Sequence, residues 1–140
     1  MRQLAATTLI GLVFLAIGCG QKKDKGGPSI TKFKFEQQFP ADPYTAVFSF
    51  AFQAGDVGVG LGFAEFYVGS GDKPVKLKLG DLLAASGLPR TAKSGELGAA
   101  LRFASKDIKD GAQVDMALVL VDDDEKRSNR AHVRLEFDLP

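Results

Sequence analysis

From Ser29 to Leu139 the chain alternates apolar and polar residues with a period of two. That period belongs to extended strands, whose successive side chains point to opposite faces; a helix needs a repeat near 3.6. Thr31, Phe33, Phe35 and Phe39 share one face, with Lys32, Lys34, Glu36 and Gln38 on the other. Ala46, Phe48, Phe50 and Phe52 alternate with Val47, Ser49, Ala51 and Gln53. Val57, Val59, Leu61 and Phe63 alternate with Gly58, Gly60 and Gly62, and Val75, Leu77 and Leu79 with Lys76 and Lys78. Three more runs follow: Leu97, Ala99, Leu101 and Phe103; then Val114, Met116, Leu118 and Leu120; then Ala131, Val133, Leu135, Phe137 and Leu139. Seven predicted strands with one dry face each bury those faces most simply as two sheets stacked about 10 Å apart. The fold class expected is therefore all-β, a single antiparallel β-sandwich of about seven strands over residues 29–140.

The interruptions carry turn chemistry. Ala-Asp between Pro40 and Pro43, Gly55-Asp56, the run from Gly69 through Asp72 to Pro74, and Asp110-Gly111 all favour reversal of the chain. The phase slips between Phe63 and Tyr67, where Glu65 follows the inward set while Phe66 and Val68 belong to the other, which predicts a β-bulge. Gly58, Gly60 and Gly62 read as a strand that is flat or pressed against another backbone. Their spacing is not that of a phosphate loop, and no Gly-Lys-Ser/Thr accompanies them. One helical turn is expected over residues 82–85, capped by Asp81 and stopped by Gly87 and Pro89.

Before the alternating region the pattern changes. Met1-Arg2-Gln3 is a short positive segment, and residues 4–17 are apolar apart from Thr7 and Thr8. That stretch suits a signal peptide and falls short of the roughly 20 residues that span a bilayer. It runs into Leu15-Ala16-Ile17-Gly18-Cys19, which resembles the lipobox of bacterial lipoproteins, with Ala16 where leucine is commonest. The resemblance implies removal of residues 1–18 and a diacylglyceryl thioether on Cys19. It also implies an amide-linked acyl chain of the palmitate kind on the new N-terminus. The protein is then lipid-anchored at the cell envelope. In a Gram-negative host the resemblance implies the outer membrane, because Gly20 rather than Asp follows the cysteine. Each buried methylene contributes about 0.8 kcal/mol, so one chain binds marginally and two or three hold stably. Residues 19–28 are expected to form the lipidated N-terminus and a flexible tether, polar and ending in Gly26-Gly27-Pro28.

Removing 18 residues from 140 leaves 122, enough for one core. Arg2 is the leader's only charge, so 17 cationic side chains then face 17 carboxylates. A balance of zero supplies no basic field for nucleic acid, and no nucleic-acid partner is expected. A single cysteine excludes an intrachain disulfide, so packing alone must hold the domain.

Residues Pro43-Tyr44-Thr45-Ala46-Val47-Phe48-Ser49-Phe50, Ser94-Gly95-Glu96-Leu97 and Asp110-Gly111-Ala112-Gln113-Val114 occur in that order. Asp122 to Glu125, Ser128-Asn129 and the last alternating run complete a C-terminal hairpin. This arrangement resembles exported bacterial Ig-like and fibronectin-type modules, and it implies an Ig-like sandwich. The chain departs from antibody domains in having no cysteine pair, no core tryptophan and no corner tyrosine near Asp110 to Met116.

Few residues suggest chemistry. Asp122, Asp123, Asp124 and Glu125 form an acidic turn, and clustered carboxylates are what calcium requires. Asp56, Asp72 or Asp110 would add ligands if their loops share that end. Lys126 and Arg127 offset part of the charge, and a solvated hairpin tip that discourages edge pairing is the simpler reading of the cluster. His132, the one histidine, falls on the polar face of the last strand, with neither a second histidine for zinc nor a nucleophile-elbow sequence. Tyr44 and Tyr67 are either contact residues or sheet-edge fillers. No catalytic residue and no cofactor is expected, with calcium at Asp122, Asp123 and Asp124 the alternative. The expected function is a non-catalytic binding or scaffolding module of the envelope, engaging membrane lipid through acylated Cys19 and an envelope protein or glycan. The alternatives are a calcium-stabilised adhesive module and an envelope hydrolase or hydrolase inhibitor.

Overall fold

The computed structural model describes residues 23–140; the leader, the lipobox-like segment and Cys19 lie outside the described residues. Seven strands follow in order: β1 (Ser29–Phe39), β2 (Asp42–Gln53), β3 (Phe63–Val68), β4 (Val75–Lys78), β5 (Ser94–Arg102), β6 (Gln113–Val121) and β7 (Ala131–Glu136). Helix α1 (Leu79–Ala85) joins β4 to β5. One sheet has the order β1-β2-β5 and the other β4-β3-β6-β7, with every ladder antiparallel. The chain crosses between sheets after β2, β4 and β5, which is the Greek-key path of an Ig-like sandwich. Its fourth strand joins the sheet of the third, as in variable-type domains.

The aromatic residues close the space between the sheets. Phe48 and Phe50 from β2, Phe66 from β3 and Phe137 after β7 are each no more than 1 % exposed. Phe48 meets Phe66 across the sheets at 6.1 Å between ring centroids, and Phe33 of β1 packs against both. These rings join the two sheets in a chain that has one cysteine and no tryptophan.

The alternation over β2, β5, β6 and β7 points its apolar set inward as expected, with Leu97, Ala99, Leu101, Met116, Leu118, Leu120 and Leu135 all buried. Three segments differ. In β1 the register shifts between Thr31 and Lys34, with Lys32 at φ 57°, so Ile30 is buried while Thr31 turns outward. A further shift near the strand end leaves Phe39 47 % exposed. These irregularities bend the strand, and Asn129 and Gln38 hold the two ends of that bend. The Asn129 side chain accepts from the Ile30 N–H and donates to its carbonyl. Gln38 does the same for the Asp138 backbone.

The second difference concerns residues 57–62, which form a loop rather than a strand. β3 begins only at Phe63 and pairs without a break from Phe63↔Val121 to Val68↔Met116. No bulge lies there; the phase change marks a boundary between loop and strand. The glycine run does lie against another backbone: a side chain at Gly62 would collide with Val121 and one at Gly60 with Arg90. Third, α1 starts at Leu79, with Lys78 at its N-cap and no side-chain cap; Asp81 sits in the first turn instead. Leu79 is thus buried from the helix, not from β4, and Val75 is exposed. The helix ends as predicted at Gly87, φ +76°, where the Gly87 and Leu88 N–H groups return to Ala84 and Leu83.

Candidate functional site

The outer face of the four-stranded sheet carries a buried ionic group that the alternation alone does not reveal. Glu65 projects outward from β3 yet is only 6 % exposed. It lies opposite Val119, and Tyr67 lies opposite Ala117; both β6 residues are buried although they face away from the core. Burying a carboxylate requires partners. The Arg127 guanidinium donates to Glu65 Oε1 at 2.7 Å, the Tyr67 hydroxyl donates to the same oxygen at 2.8 Å, and Lys76 Nζ approaches Oε2 at 3.7 Å. Arg127 also donates to the Tyr67 oxygen at 3.0 Å, and the Arg130 guanidinium stacks 4.3 Å from the Tyr67 ring centroid. Phe63, Lys76, Val121, Glu125 and Arg127 border a depression of about 370 Å³ beside this group.

Burial alone raises the Glu65 pKa. The hydrogen bonds from Tyr67 and Arg127, with the charges of Arg127 and Lys76, outweigh it and hold the carboxyl below the ordinary value of 4.5. Glu65 is therefore an anion at neutral pH and a poor proton acceptor. A folded-state pKa below the unfolded one stabilises the fold at pH above the unfolded value, and that contribution disappears as pH falls through the folded value. The stability difference between the native chain and Glu65→Gln is expected to be constant above about pH 5 and to shrink as pH falls below the ordinary glutamate range of about 4.3. Urea denaturation of both proteins at neutral, mildly acidic and strongly acidic pH measures it. Parallel pH profiles would remove Glu65 from the acid response.

At the end of the sandwich where β1 begins, here the proximal end, three segments meet. The acidic turn following β6 is part of this cluster. Asp122 is 2 % exposed, and its Oδ1 accepts the N–H groups of Asp124 and Lys126, both at 2.9 Å, closing the hairpin. Its Oδ2 is buried and has no hydrogen-bond partner among the described residues. Asp123 Oδ1 accepts the Leu61 N–H at 2.8 Å and so fixes the loop of residues 57–62 to the hairpin. Asp124 and Glu125 are exposed. The third segment precedes β1. Asp24 donates its N–H to the Arg127 carbonyl and accepts the Arg127 N–H on Oδ2, each at 2.8 Å. The Gly26 carbonyl accepts the Asp56 N–H at 2.9 Å, and Gly27 and Pro28 are buried. The latter half of the segment expected to be a flexible tether is thus bound to the sandwich.

The remaining candidates are dispersed. Asp56 shares the proximal end, 3.8 Å from Lys126. Asp72 and Asp110 belong to the opposite, distal end, where Gly69 donates to Asp115 and Asp110 accepts the Leu139 N–H. Asp72 and Asp110 therefore cannot join Asp122, Asp123 and Asp124 around one ion. Among the described residues no group of three or more His, Cys, Asp or Glu side chains converges for a metal. His132 lies on the exposed outer face of β7, with its pKa lowered by partial desolvation and by Arg130 against the pull of Asp115. Tyr44 packs against the core from the start of β2, and Tyr67 serves the Glu65 group. Sequence reasoning singled out Glu65 only as an error of phase. An acidic residue amid an apolar strand, two positions from a tyrosine on the same face, was the available signal.

No protein-family model and no curated protein matches the sequence. Among solved structures, a Niemann-Pick type C2 protein from Japanese carpenter ant superposes with a TM-score of 0.46 at 14 % identity, covering 76 % of this chain and 92 % of that one. The sandwich assignment stands on the strand pairing itself.

Proposed function

We propose that the chain is a non-catalytic binding or scaffolding module of a bacterial cell envelope, held on a membrane by acyl chains on Cys19. The observation that carries this reading is the apolar leader ending in Leu15-Ala16-Ile17-Gly18-Cys19, five residues before Asp24, which is the first of the described residues hydrogen-bonded to the sandwich. Two or more acyl chains supply stable attachment, where one does not. The non-catalytic part is supported by the work the polar candidates already do. Asp122 closes a hairpin, Asp123 fixes a loop, and Glu65 is an anion saturated by Arg127 and Tyr67. The chemistry on offer is a rigid platform whose loops and sheet edges engage an envelope protein or glycan. In a Gram-negative host the outer membrane is the expected location, since Gly20 follows the cysteine.

Cys19→Ser is expected to move the protein from the membrane fraction to the soluble fraction. Intact mass of the native protein extracted from membranes should correspond to residues 19–140 plus acyl groups. Retention of the serine variant in the bilayer fraction, or an unmodified mass, would overturn the anchor. Turnover of a peptidoglycan or ester substrate by the purified mature domain would overturn the non-catalytic reading.

A further inference from the structure

The geometry points to a fixed orientation: the proximal end of the sandwich rests against the lipid surface, and the distal end faces away from it. This inference rests on the acylation of Cys19. From Cys19 to Asp24 there are five residues, and Asp24 is pinned on both its N–H and its carboxylate to Arg127. However those residues are arranged, the chain extends at most about 3.6 Å per residue, so the leash reaches no further than roughly 18 Å. The sandwich is longer than that. β2 alone runs 12 residues from the distal to the proximal end, which at about 3.4 Å each is roughly 40 Å. Turning the distal end toward the bilayer would lift Asp24 beyond the reach of its anchor.

The proximal surface suits the contact. Leu61, at the tip of the loop of residues 57–62, is 69 % exposed, the highest among the exposed large hydrophobic side chains of the described residues. Arg90 and Lys93 border the same depression, about 540 Å³ in volume. An apolar tip flanked by long cationic side chains fits the boundary between headgroups and acyl chains. The loop does not depend on the membrane for its shape, because Asp123 holds the Leu61 N–H and the Asp123 N–H returns to the Gly58 carbonyl. Carboxylates of Asp56, Asp123 and Asp124 lie at the same end. The contact is thus set by the short leash and the apolar tip rather than by net charge. At the distal end the turn at Pro40, the loop through Ser70 and the turn at Gly111 are left facing outward, free to meet a partner.

The test uses the acylated mature protein in phosphatidylcholine vesicles that contain a headgroup nitroxide lipid. One fluorophore is attached at Leu61→Cys or at Ser70→Cys, both exposed sites. Each sample is first floated on a density gradient. The Leu61 label is expected to lose most of its emission, and the Ser70 label little. Flotation with equal quenching at both sites, or stronger quenching at Ser70, overturns the orientation while leaving the anchor standing. Absence of flotation overturns the anchor and the orientation with it.

Discussion

Phe66→Ala is expected to destabilise the domain by about 3–5 kcal/mol, the usual range for removing a buried aromatic ring. Phe66 has no exposed surface and packs against Phe33 and Phe48 of the facing sheet, with centroids 6.2 and 6.1 Å away. Its removal opens a hole at the junction of the sheets, where no disulfide limits the damage, because the chain has a single cysteine. Against a typical total stability of about 5–15 kcal/mol, the loss amounts to a large fraction of what holds the fold. The melting temperature should drop on the order of 10–20 °C. Phe63→Ala provides the comparison: Phe63 belongs to the same strand but faces outward and is 37 % exposed. Chemical denaturation of the two variants and the native domain separates the cases. Should Phe66→Ala unfold within about 1 kcal/mol of Phe63→Ala, the ring is not the keystone of the inter-sheet packing.

Gly62→Ala is the second large effect, and Gly58→Ala its internal control. A methyl group at position 62 would meet the Val121 carbonyl group, with the Val121 carbon at 2.9 Å and the Asp122 carbon at 3.2 Å. These are backbone atoms of the ladder, since Phe63 pairs with Val121, and no rotamer change moves them. Overpacking of this kind costs about 1–3 kcal/mol, sometimes more. At Gly58 the same methyl meets only the far end of the Asp123 side chain, at 3.4 Å, and the substitution should be close to neutral. Neither residue has a positive φ, so the contrast isolates sterics from backbone conformation. Equal melting temperatures for the two variants would remove close backbone approach as the reason for the glycine run.

In that run, alternation does not correspond to a strand. Val57, Val59, Leu61 and Phe63 alternate with glycine as faithfully as any strand, yet Val59 is fully buried and Leu61 mostly exposed, because the backbone there is a loop. Alternation reports a two-sided environment, and a loop squeezed between Arg90 and Val121 supplies one as well as a sheet does. Phe39 likewise leaves the inward set, because the register of β1 shifts along the strand. The Glu65 group was hidden for another reason. Its partner Arg127 is 62 residues away, and nothing local distinguishes that arginine from its neighbours in the hairpin. The acidic turn was conspicuous as composition, but whether Asp122 faced an ion or its own backbone depended on the path of the turn.

What the sequence by itself determined was the all-β class and the inward faces of β2, β5, β6 and β7. These follow from a local rule: side chains alternate between the two faces of an extended backbone. Only the tertiary structure decided which strands pair, where the loop of residues 57–62 presses, how Glu65 is neutralised and where the segment before β1 is pinned. Each of those depends on contacts between residues far apart in the chain. Their energies exist only once the two sheets have closed on the phenylalanines between them.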